Sequence, residues 1–254
     1  MKIIQMRGFS IVELMVALLL GSLVSLAAVQ LFMLNRQTES LQAGLASVQD
    51  QGRFIFDSLS RDLMQTGHST LSSIEPFAFT GHGGQVGSDG PLYDVLVLNV
   101  DNGLDCLGNG SFTGIKKYWV DTTKRNGLFC SEYEEAAGVW SAANTNSESL
   151  IENVEAFQVL YGLDLDSPGS PGYGEANVYV TAALANAARR IVSVRFGVLL
   201  SSDHTVGGEA GVAPASIDVL DQTITKNSGV NLDDGRLFRV FASTVALRNP
   251  VDEG

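Results

Sequence analysis

The sequence contains few of the residues on which metal and cofactor chemistry depends. Only two cysteines and three histidines occur in 254 residues, and His68, His82 and His204 lack the spacing of metal ligands. No glycine-rich phosphate loop precedes a predicted helix, and no Gly-x-Ser-x-Gly motif occurs. These absences give no support to an enzyme, a cofactor or a resident metal. We therefore predict that the chain is not an enzyme.

Positive charge is also scarce. Sixteen Lys and Arg residues stand against 28 Asp and Glu residues, which gives a formal net charge of −12. An acidic surface disfavours binding to nucleic-acid phosphates or anionic lipid, so we do not expect direct contact with nucleic acid. A local exception comprises Lys116, Lys117, Lys124 and Arg125, which we interpret as a solvated turn region rather than a DNA site.

One long segment lacks charge altogether. Leu14 to Leu34 comprise 21 uncharged, mostly apolar residues, about the 20 that a helix needs to span a bilayer core. Lys2 and Arg7 precede it, which orients the N-terminus towards the cytoplasm. Small residues within it would let apolar helices approach closely. An ordinary single-span anchor is the simplest interpretation.

The eight residues before this helix form a short basic leader that ends in Gly8. A secretory signal has its small residues after the apolar core, whereas here the small residue precedes it. Cleavage after Gly8 would leave the whole apolar segment on the product as a retained anchor. Glu13, the fifth residue of that product, is unusual because a carboxylate at the edge of a membrane helix is costly and usually functional. Alternatively, its side chain extends to the lipid headgroups.

This layout resembles the class III signal of type IV pilins. The resemblance implies cleavage between Gly8 and Phe9 by prepilin peptidase and N-methylation of Phe9. It also implies that Glu13 pairs with the N-terminal amine of a neighbouring subunit during assembly. An amine and a carboxylate attract strongly in a medium of low dielectric constant, where either alone is penalised.

The helix continues beyond residue 34 with a changed pattern. Six apolar residues recur at helical spacing and predict one buried stripe: Leu41, Leu45, Val48, Ile55, Leu59 and Leu63. The residues assigned to the opposite, polar face are Gln42, Asp50, Arg53, Asp57, Arg61 and Asp62. Gly67 can end the helix in a left-handed conformation. We predict a helix from about Ser10 to Thr66, ~85 Å long.

The remaining residues predict a single β-rich head. Runs of apolar and β-branched residues predict strands at 93–100, 116–121, 127–133, 150–164, 191–202 and 237–250. The second and third should form a hairpin, and alanines favour a short helix at 181–189. The predicted fold class is α+β, a long helix packed on a mostly antiparallel sheet. The predicted segments are a leader (1–8), a membrane or fibre-core helix (9–34), its amphipathic continuation (35–66) and the head (67–254).

Of the two cysteines, Cys106 precedes the predicted hairpin and Cys130 lies in its second strand. The anchor's orientation places the head on the oxidising side of the membrane, which favours a disulfide, typically worth about 2–4 kcal/mol. The alternative, a pair of metal ligands, lacks companion ligands in the sequence.

A second metal hypothesis concerns residues 164–175. Asp164, Asp166 and Glu175 occupy positions one, three and twelve of an EF-hand-like register, with Gly169 at position six. However, Pro168 at position five has no side-chain oxygen, and such clusters also make good turns. We favour a turn and keep calcium binding as the alternative.

Several motifs resemble one branch of the pilin superfamily, the PilW-type minor pilins. They are GRFIFDSLSRDLMQTGH (52–68), DCLGNG (105–110), GLFC (127–130), VEAFQVLYGLD (154–164), VSVRFGVLL (192–200) and FRVFASTVALRN (238–249). The resemblance implies a pilin-like roll and a subunit that helps to prime type IV pilus assembly, with roles in adhesion, twitching motility and DNA uptake.

The implied partners are prepilin peptidase, other minor pilins, the major pilin, the inner-membrane assembly platform and a tip adhesin. The implied location is the inner membrane, with one membrane span and a periplasmic head, and later the pilus at or near its tip. Two alternatives remain: a J-type minor pseudopilin of type II secretion, and a simple membrane-anchored periplasmic binding domain.

Overall fold

The structure, a computed structural model, describes residues 10–66, 77, 87–134, 139–140, 149–185, 190–206 and 213–248. The predicted processing residues Gly8 and Phe9 lie outside this part of the chain. So do Gly67, His68 and His82.

One long helix, α1, extends over Ile11–Gln65, 55 residues. Ser10 caps its start, because the side-chain oxygen accepts a hydrogen bond from the N–H of Val12. The helix ends at Thr66, whose backbone is extended and whose N–H donates to the carbonyls of Asp62 and Leu63. The predicted helix, about Ser10 to Thr66, is therefore confirmed to within one residue at each end.

The head contains two four-stranded antiparallel sheets. The first has the order β1-β2-β3-β4, with strands Leu96–Leu104, Gly110–Asp121, Gly127–Glu134 and Val139–Trp140. The second has the order β10-β7-β5-β6, with strands Arg236–Ala246, Ile191–Thr205, Val154–Leu163 and Val178–Val180. A separate hairpin pairs β8 (Ser216–Val219) with β9 (Gln222–Thr225).

The helix lies against both sheets, chiefly against β7 and β10 and also against β1. Val48, Ile55, Leu59 and Leu63 are fully buried there. They join the inward side chains of β1, β5 and β7 in the main core. A smaller core forms on the outer face of the second sheet, where the β8–β9 hairpin covers Ala156 and Leu199. The predicted α+β fold, with a long helix packed on antiparallel sheets, is confirmed.

The predicted strands and the β2–β3 hairpin are present, but the short strands were not predicted. β4, β6, β8 and β9 contain only two to four residues each, too few to show the period of two that identifies a strand. β1 begins three residues later than predicted, because Tyr93 and Val95 form only isolated bridges. The predicted helix at 181–189 is represented by α2, Ala182–Ala185; residues 186–189 lie outside the described chain.

The interpretation of the local basic cluster as a solvated turn is wrong for two of its members. Lys116 and Lys117 lie in β2 and are only 1% and 5% exposed. Lys124 and Arg125 do lie in the exposed turn between β2 and β3. The polar residues 122–126 therefore indicate the tip of the hairpin correctly. The burial of the two lysines could not be predicted, because a charged residue in a strand gives no sequence signal of burial when its partner is distant in the sequence.

Candidate assembly surface and its link to the head

The first part of α1, Ile11–Leu34, presents a continuous apolar surface. All its residues are exposed, and its large apolar side chains are 50–78% exposed. Soluble monomers rarely expose contiguous apolar patches larger than a few hundred Å². Among the described helices, only α1 is long and apolar enough to cross a membrane. This assembly surface, residues 11–34, therefore requires lipid or other apolar helices around it.

The polar side chains within the assembly surface are satisfied by the helix itself. The hydroxyl of Ser22 donates to the carbonyl of Leu19 at 2.8 Å, and that of Ser25 donates to the carbonyl of Gly21 at 2.8 Å. Such local bonds remove the cost of placing a free hydroxyl in an apolar medium.

Glu13 is the one charged side chain of the assembly surface. It lies in the first turn of α1 and is exposed. A carboxylate there interacts favourably with the partial positive charge of the helix N-terminus. Within residues 10–66 and the described part of the head, no hydrogen bond or ion pair involves this side chain.

The second part of α1 meets the end of β7. The hydroxyl of Ser40 donates to the carbonyl of Thr205 at 3.1 Å, and the hydroxyl of Ser47 donates to Asp203 at 3.2 Å. The head therefore makes contact with the helix within about 10 Å of Leu34, given 1.5 Å of rise per residue.

Two helix glycines allow the sheet to approach α1 closely. A Cβ atom at Gly52 would lie 2.6 Å from the ring of Phe241 on β10, and one at Gly44 would lie 3.0 Å from Val206. By contrast, Gly21 in the assembly surface has nothing within 4 Å. Glycine inside a helix costs about 1 kcal/mol of stability relative to alanine. At Gly44 and Gly52 the close approach of the sheet explains why glycine is nevertheless present.

A buried ion pair joins the end of α1 to the first sheet. Asp62 is 3% exposed, and its carboxylate lies 2.7 Å from the ammonium group of Lys116. The hydroxyl of Tyr118, also on β2, donates a short hydrogen bond to the same oxygen. Burial, followed by the neighbouring charge of Asp62, raises the pKa of Tyr118 well above its usual value. The charge of Asp62 is thus compensated by two side chains of one strand.

The assignment of Asp62 to the polar face is wrong. The residue lies seven positions after Ile55, which is nearly two full helical turns, so both side chains point to the same side of the helix. The spacing could have shown this burial. We assigned Asp62 by its charge because isolated carboxylates are rarely buried unless they are paired, and the partner Lys116 is 54 positions away in the sequence.

The structure joins Cys106 to Cys130 in the disulfide that the sequence favours, with Cα atoms 5.6 Å apart. Cys130 pairs with Tyr118 across the β2–β3 ladder. The bridge holds the loop after β1 over the buried lysine, since the ammonium group of Lys116 also reaches the carbonyl of Asp105 at 3.5 Å. The disulfide and the ion pair therefore stabilise one corner of the head.

Asp94 holds the segment before β1 against β5. Its two carboxylate oxygens accept hydrogen bonds from the N–H groups of Gly90 at 2.8 Å and Val159 at 2.7 Å. Burial raises the pKa of Asp94 to about 7, although these two hydrogen bonds act in the opposite direction. No pattern in the sequence distinguishes this residue from other surface acids.

The carboxylates of the 164–175 loop are used within the loop. Asp164 accepts hydrogen bonds from the N–H groups of Asp166 and Gly174 and lies 3.0 Å from the guanidinium of Arg190. Asp166 accepts from the side chain of Asn177 at 2.9 Å, and Glu175 is exposed. In the described ranges, no group of His, Cys, Asp or Glu side chains has the arrangement of a metal site.

Comparisons with known proteins concern both parts of the molecule. Residues 117–249 match the model of a family described as Type IV Pilus-assembly protein W. Residues 5–29 match the prokaryotic N-terminal methylation motif. A type IV-like pilin from Thermus thermophilus has a similar structure, with a TM-score of 0.45 and 14% identity, over 80% of this chain and 98% of that chain. No curated protein sequence matches significantly.

The two matched regions coincide with the two structural features described above. The methylation motif includes Glu13 and most of the assembly surface, and the family match runs from β2 to the end of β10. Because the family match covers more than half of the residues, the chain belongs to the PilW family of type IV pilus-assembly proteins.

Proposed function

We propose that this PilW protein is a minor pilin that helps to prime assembly of the type IV pilus. The observation that carries the proposal is the exposed apolar surface of residues 11–34, which continues without a break into a helix docked on a folded head. Such a rod can be stored in lipid and then transferred to a bundle of similar rods, because both surroundings bury the same apolar side chains. Members of this family are structural subunits, and we assign the chain no catalytic role.

Processing comes first in the proposed sequence of events. Prepilin peptidase cuts after Gly8 and methylates the new N-terminus at Phe9. The mature chain retains all of α1 and has a formal net charge of −14, since the leader removes two cations.

Assembly then uses Glu13. This carboxylate lies four residues after Phe9, about one helical turn from the new amine. In a bundle of apolar helices the amine of one subunit and the carboxylate of its neighbour compensate each other, and either alone is strongly disfavoured. The pair would therefore set the axial position of one subunit against the next.

The proposed setting has a single membrane span, with the head in the periplasm before assembly and at or near the pilus tip afterwards. The proposed partners are the other minor pilins, the major pilin, the inner-membrane assembly platform and a tip adhesin. Deletion of the gene should remove surface pili while type II secretion of proteins continues; the reverse result would favour the pseudopilin role.

Processing is tested by sequencing the N-terminus of the mature protein. We expect methylated phenylalanine at position 9 in normal cells and the intact leader in cells that lack prepilin peptidase. A mature chain that begins elsewhere, or processing that persists without the peptidase, would contradict the proposal and favour a simple anchored domain.

The role of Glu13 is tested with Glu13→Gln, which keeps the size of the side chain and removes its charge. We expect normal membrane insertion and loss of the protein from sheared pili. Glu39→Gln is the matched control, because Glu39 is an exposed acid of the same helix beyond the apolar run. Equal incorporation of both variants would exclude the proposed docking role.

A further inference from the structure

Among the described strands, β10 forms an open edge of the second sheet. It contains 11 residues and pairs with β7 on one side only. The ladder has no register shift from Phe238 to Ala246, so this edge is long and not interrupted by a bulge. The opposite edge of the same sheet, β6, has only three residues.

The direction of the backbone groups of β10 follows from its bonds to β7. The N–H of Leu237 donates to the hydroxyl of Ser202 at 3.0 Å, and the N–H of Leu247 donates to the carbonyl of Val192 at 2.9 Å. Because backbone groups point alternately to the two sides of a strand, the odd-numbered residues bond to β7. The even-numbered residues therefore direct N–H and C=O away from the sheet.

Four of these even-numbered residues, Val240, Ala242, Thr244 and Ala246, are also exposed at their side chains. We call them the outward positions. In the chain as described, no backbone group bonds to them from the open side. Natural proteins usually protect such edges by short strands, prolines, bulges or charged side chains. Between Phe238 and Ala246, β10 has one charged residue, the exposed Arg239, and neither a proline nor a register shift.

The positive charge along this edge favours an acidic binding partner. Residues 235–249 contain three arginines and no acidic residue, in a protein of net charge −12. Arg236 is neutralised by Glu155 at 2.8 Å and by Asp234. Arg239 and Arg248 are exposed and have no ion pair within the described residues. A second copy of β10 would bring the same excess of positive charge to this edge, so an acidic strand is favoured over a second copy.

We propose that the open edge of β10 receives an extended, acidic segment of another pilus subunit as an added strand. Main-chain hydrogen bonds to the outward positions would supply affinity, and Arg239 and Arg248 would supply charge complementarity. Because α1 packs on β7 and β10, the edge lies on the flank of the head next to the helix that carries the assembly surface. This inference rests on the proposed function.

Amide hydrogen exchange tests the proposal on the full-length chain in detergent, alone and after co-purification with the other minor pilins of its host. Odd-numbered amides of β10 should be protected in both samples. Amides at the outward positions should exchange at least about tenfold more slowly in the complex, because added-strand hydrogen bonds protect them. Unchanged exchange in a complex that does form would overturn this inference and leave the proposed function intact.

Two other outcomes of the same experiment are also decisive. If no complex with other minor pilins forms, the proposed function fails and this inference fails with it. If the outward positions become protected in the chain alone as its concentration rises, the occupant is a second copy of the chain, and the proposed acidic partner is wrong.

Variants separate backbone pairing from side-chain contact. Ala242→Pro removes one outward N–H and should weaken the complex by about tenfold, since proline blocks an added strand but is tolerated at an edge. Ala242→Thr keeps that N–H and should bind within about twofold of the parent. Equal binding by the two variants would overturn the proposal.

Charge reversal provides a test that does not depend on proline being tolerated. Arg239→Glu combined with Arg248→Glu should weaken the complex by about tenfold at low salt and reduce its salt dependence, because both exposed attractions become repulsions. Tighter binding by this variant would show that the occupant is basic and would overturn the proposal.

Discussion

The two parts of α1 form one continuous helix but obtain their stability from different sources. Residues 11–34 are exposed on every side, whereas Val48, Ile55, Leu59 and Leu63 are fully buried against the head. The backbone hydrogen bonds of the two parts are alike, so the difference lies in their surroundings. The docked part is stabilised by burial within the subunit, and the exposed part has no such burial among the described residues.

The difference extends to single residue types. An acid in the exposed part, Glu13, has no close partner among the described residues, while an acid in the docked part, Asp62, is bound by Lys116 and Tyr118. Gly21 has open space around it, while Gly52 touches the ring of Phe241. Substitutions of matching residue types in the two parts of α1 can therefore show whether the two parts are stabilised independently.

The largest effect is expected from Asp62→Ala. Removing one partner of a buried ion pair leaves an uncompensated charge and typically costs about 3–5 kcal/mol. We expect this loss in the free energy of unfolding of the head, measured by denaturant titration of the full chain in detergent. Asp57→Ala, an exposed acid on the same helix, should change it by less than about 0.5 kcal/mol. Similar losses in both variants would show that the buried ion pair makes no specific contribution to the free energy of unfolding.

Loss of the disulfide should have the next largest effect. Cys106→Ser together with Cys130→Ser should destabilise the head by about 2–4 kcal/mol, because the unfolded chain gains freedom. Membrane insertion of the exposed helix should be unaffected, which extraction of membranes with alkaline carbonate can check. Failure of insertion would show that the two parts of the molecule depend on each other.

A pH titration should affect the head through Asp94. Its pKa is raised to about 7 in the folded state, above the value of about 3.9 expected in the unfolded chain. The folded state therefore binds the extra proton, and this contribution to stability is fully present below about pH 4 and is lost as pH rises to about 7, by about 3 kcal/mol. Asp94→Asn should lower stability by a pH-independent amount and reduce this slope. An identical pH dependence in the variant and the parent would contradict the assignment.

The smallest effect is expected from alanine at the helix glycines. In an isolated helix Gly→Ala stabilises by about 1 kcal/mol, but at Gly52 the added methyl group would overlap Phe241, and we expect a net loss of about 1 kcal/mol. Gly21→Ala should leave the unfolding of the head unchanged, since nothing lies within 4 Å. Thermal unfolding of both variants in detergent measures the contrast, and a stabilised Gly52→Ala would show that Phe241 moves aside freely.

Much of the fold could be predicted because its signals are local. An uncharged run of 21 residues followed by a helical stripe defines α1, and strands of eight residues or more show recognisable patterns. The two- to four-residue strands could not be predicted, because their pairing depends on neighbours that are distant in sequence. The burial of Lys116 and Lys117 was missed for the same reason.

The candidate assembly residues divide in a similar way. Glu13 stands out in the sequence because a charge interrupts an apolar run, and Cys106 and Cys130 stand out because they are the only cysteines. Asp62 and Gly52 resemble ordinary helix residues until the head is placed against them. The cleavage at Gly8 and the roles of Phe9 and Glu13 stay predictions, to be tested by the experiments above.

The sequence alone determined that this chain has an uncharged apolar rod, a second helical half with one buried stripe, and a β-rich acidic head, because periodicity and charge act over neighbouring residues. Only the tertiary structure decided that Asp62 meets Lys116, that Gly52 admits Phe241, and that β10 lies at the edge of the described sheet. The physical reason is that ion pairing, close packing and strand order bring together groups tens to hundreds of positions apart, and no local pattern encodes which of those groups meet.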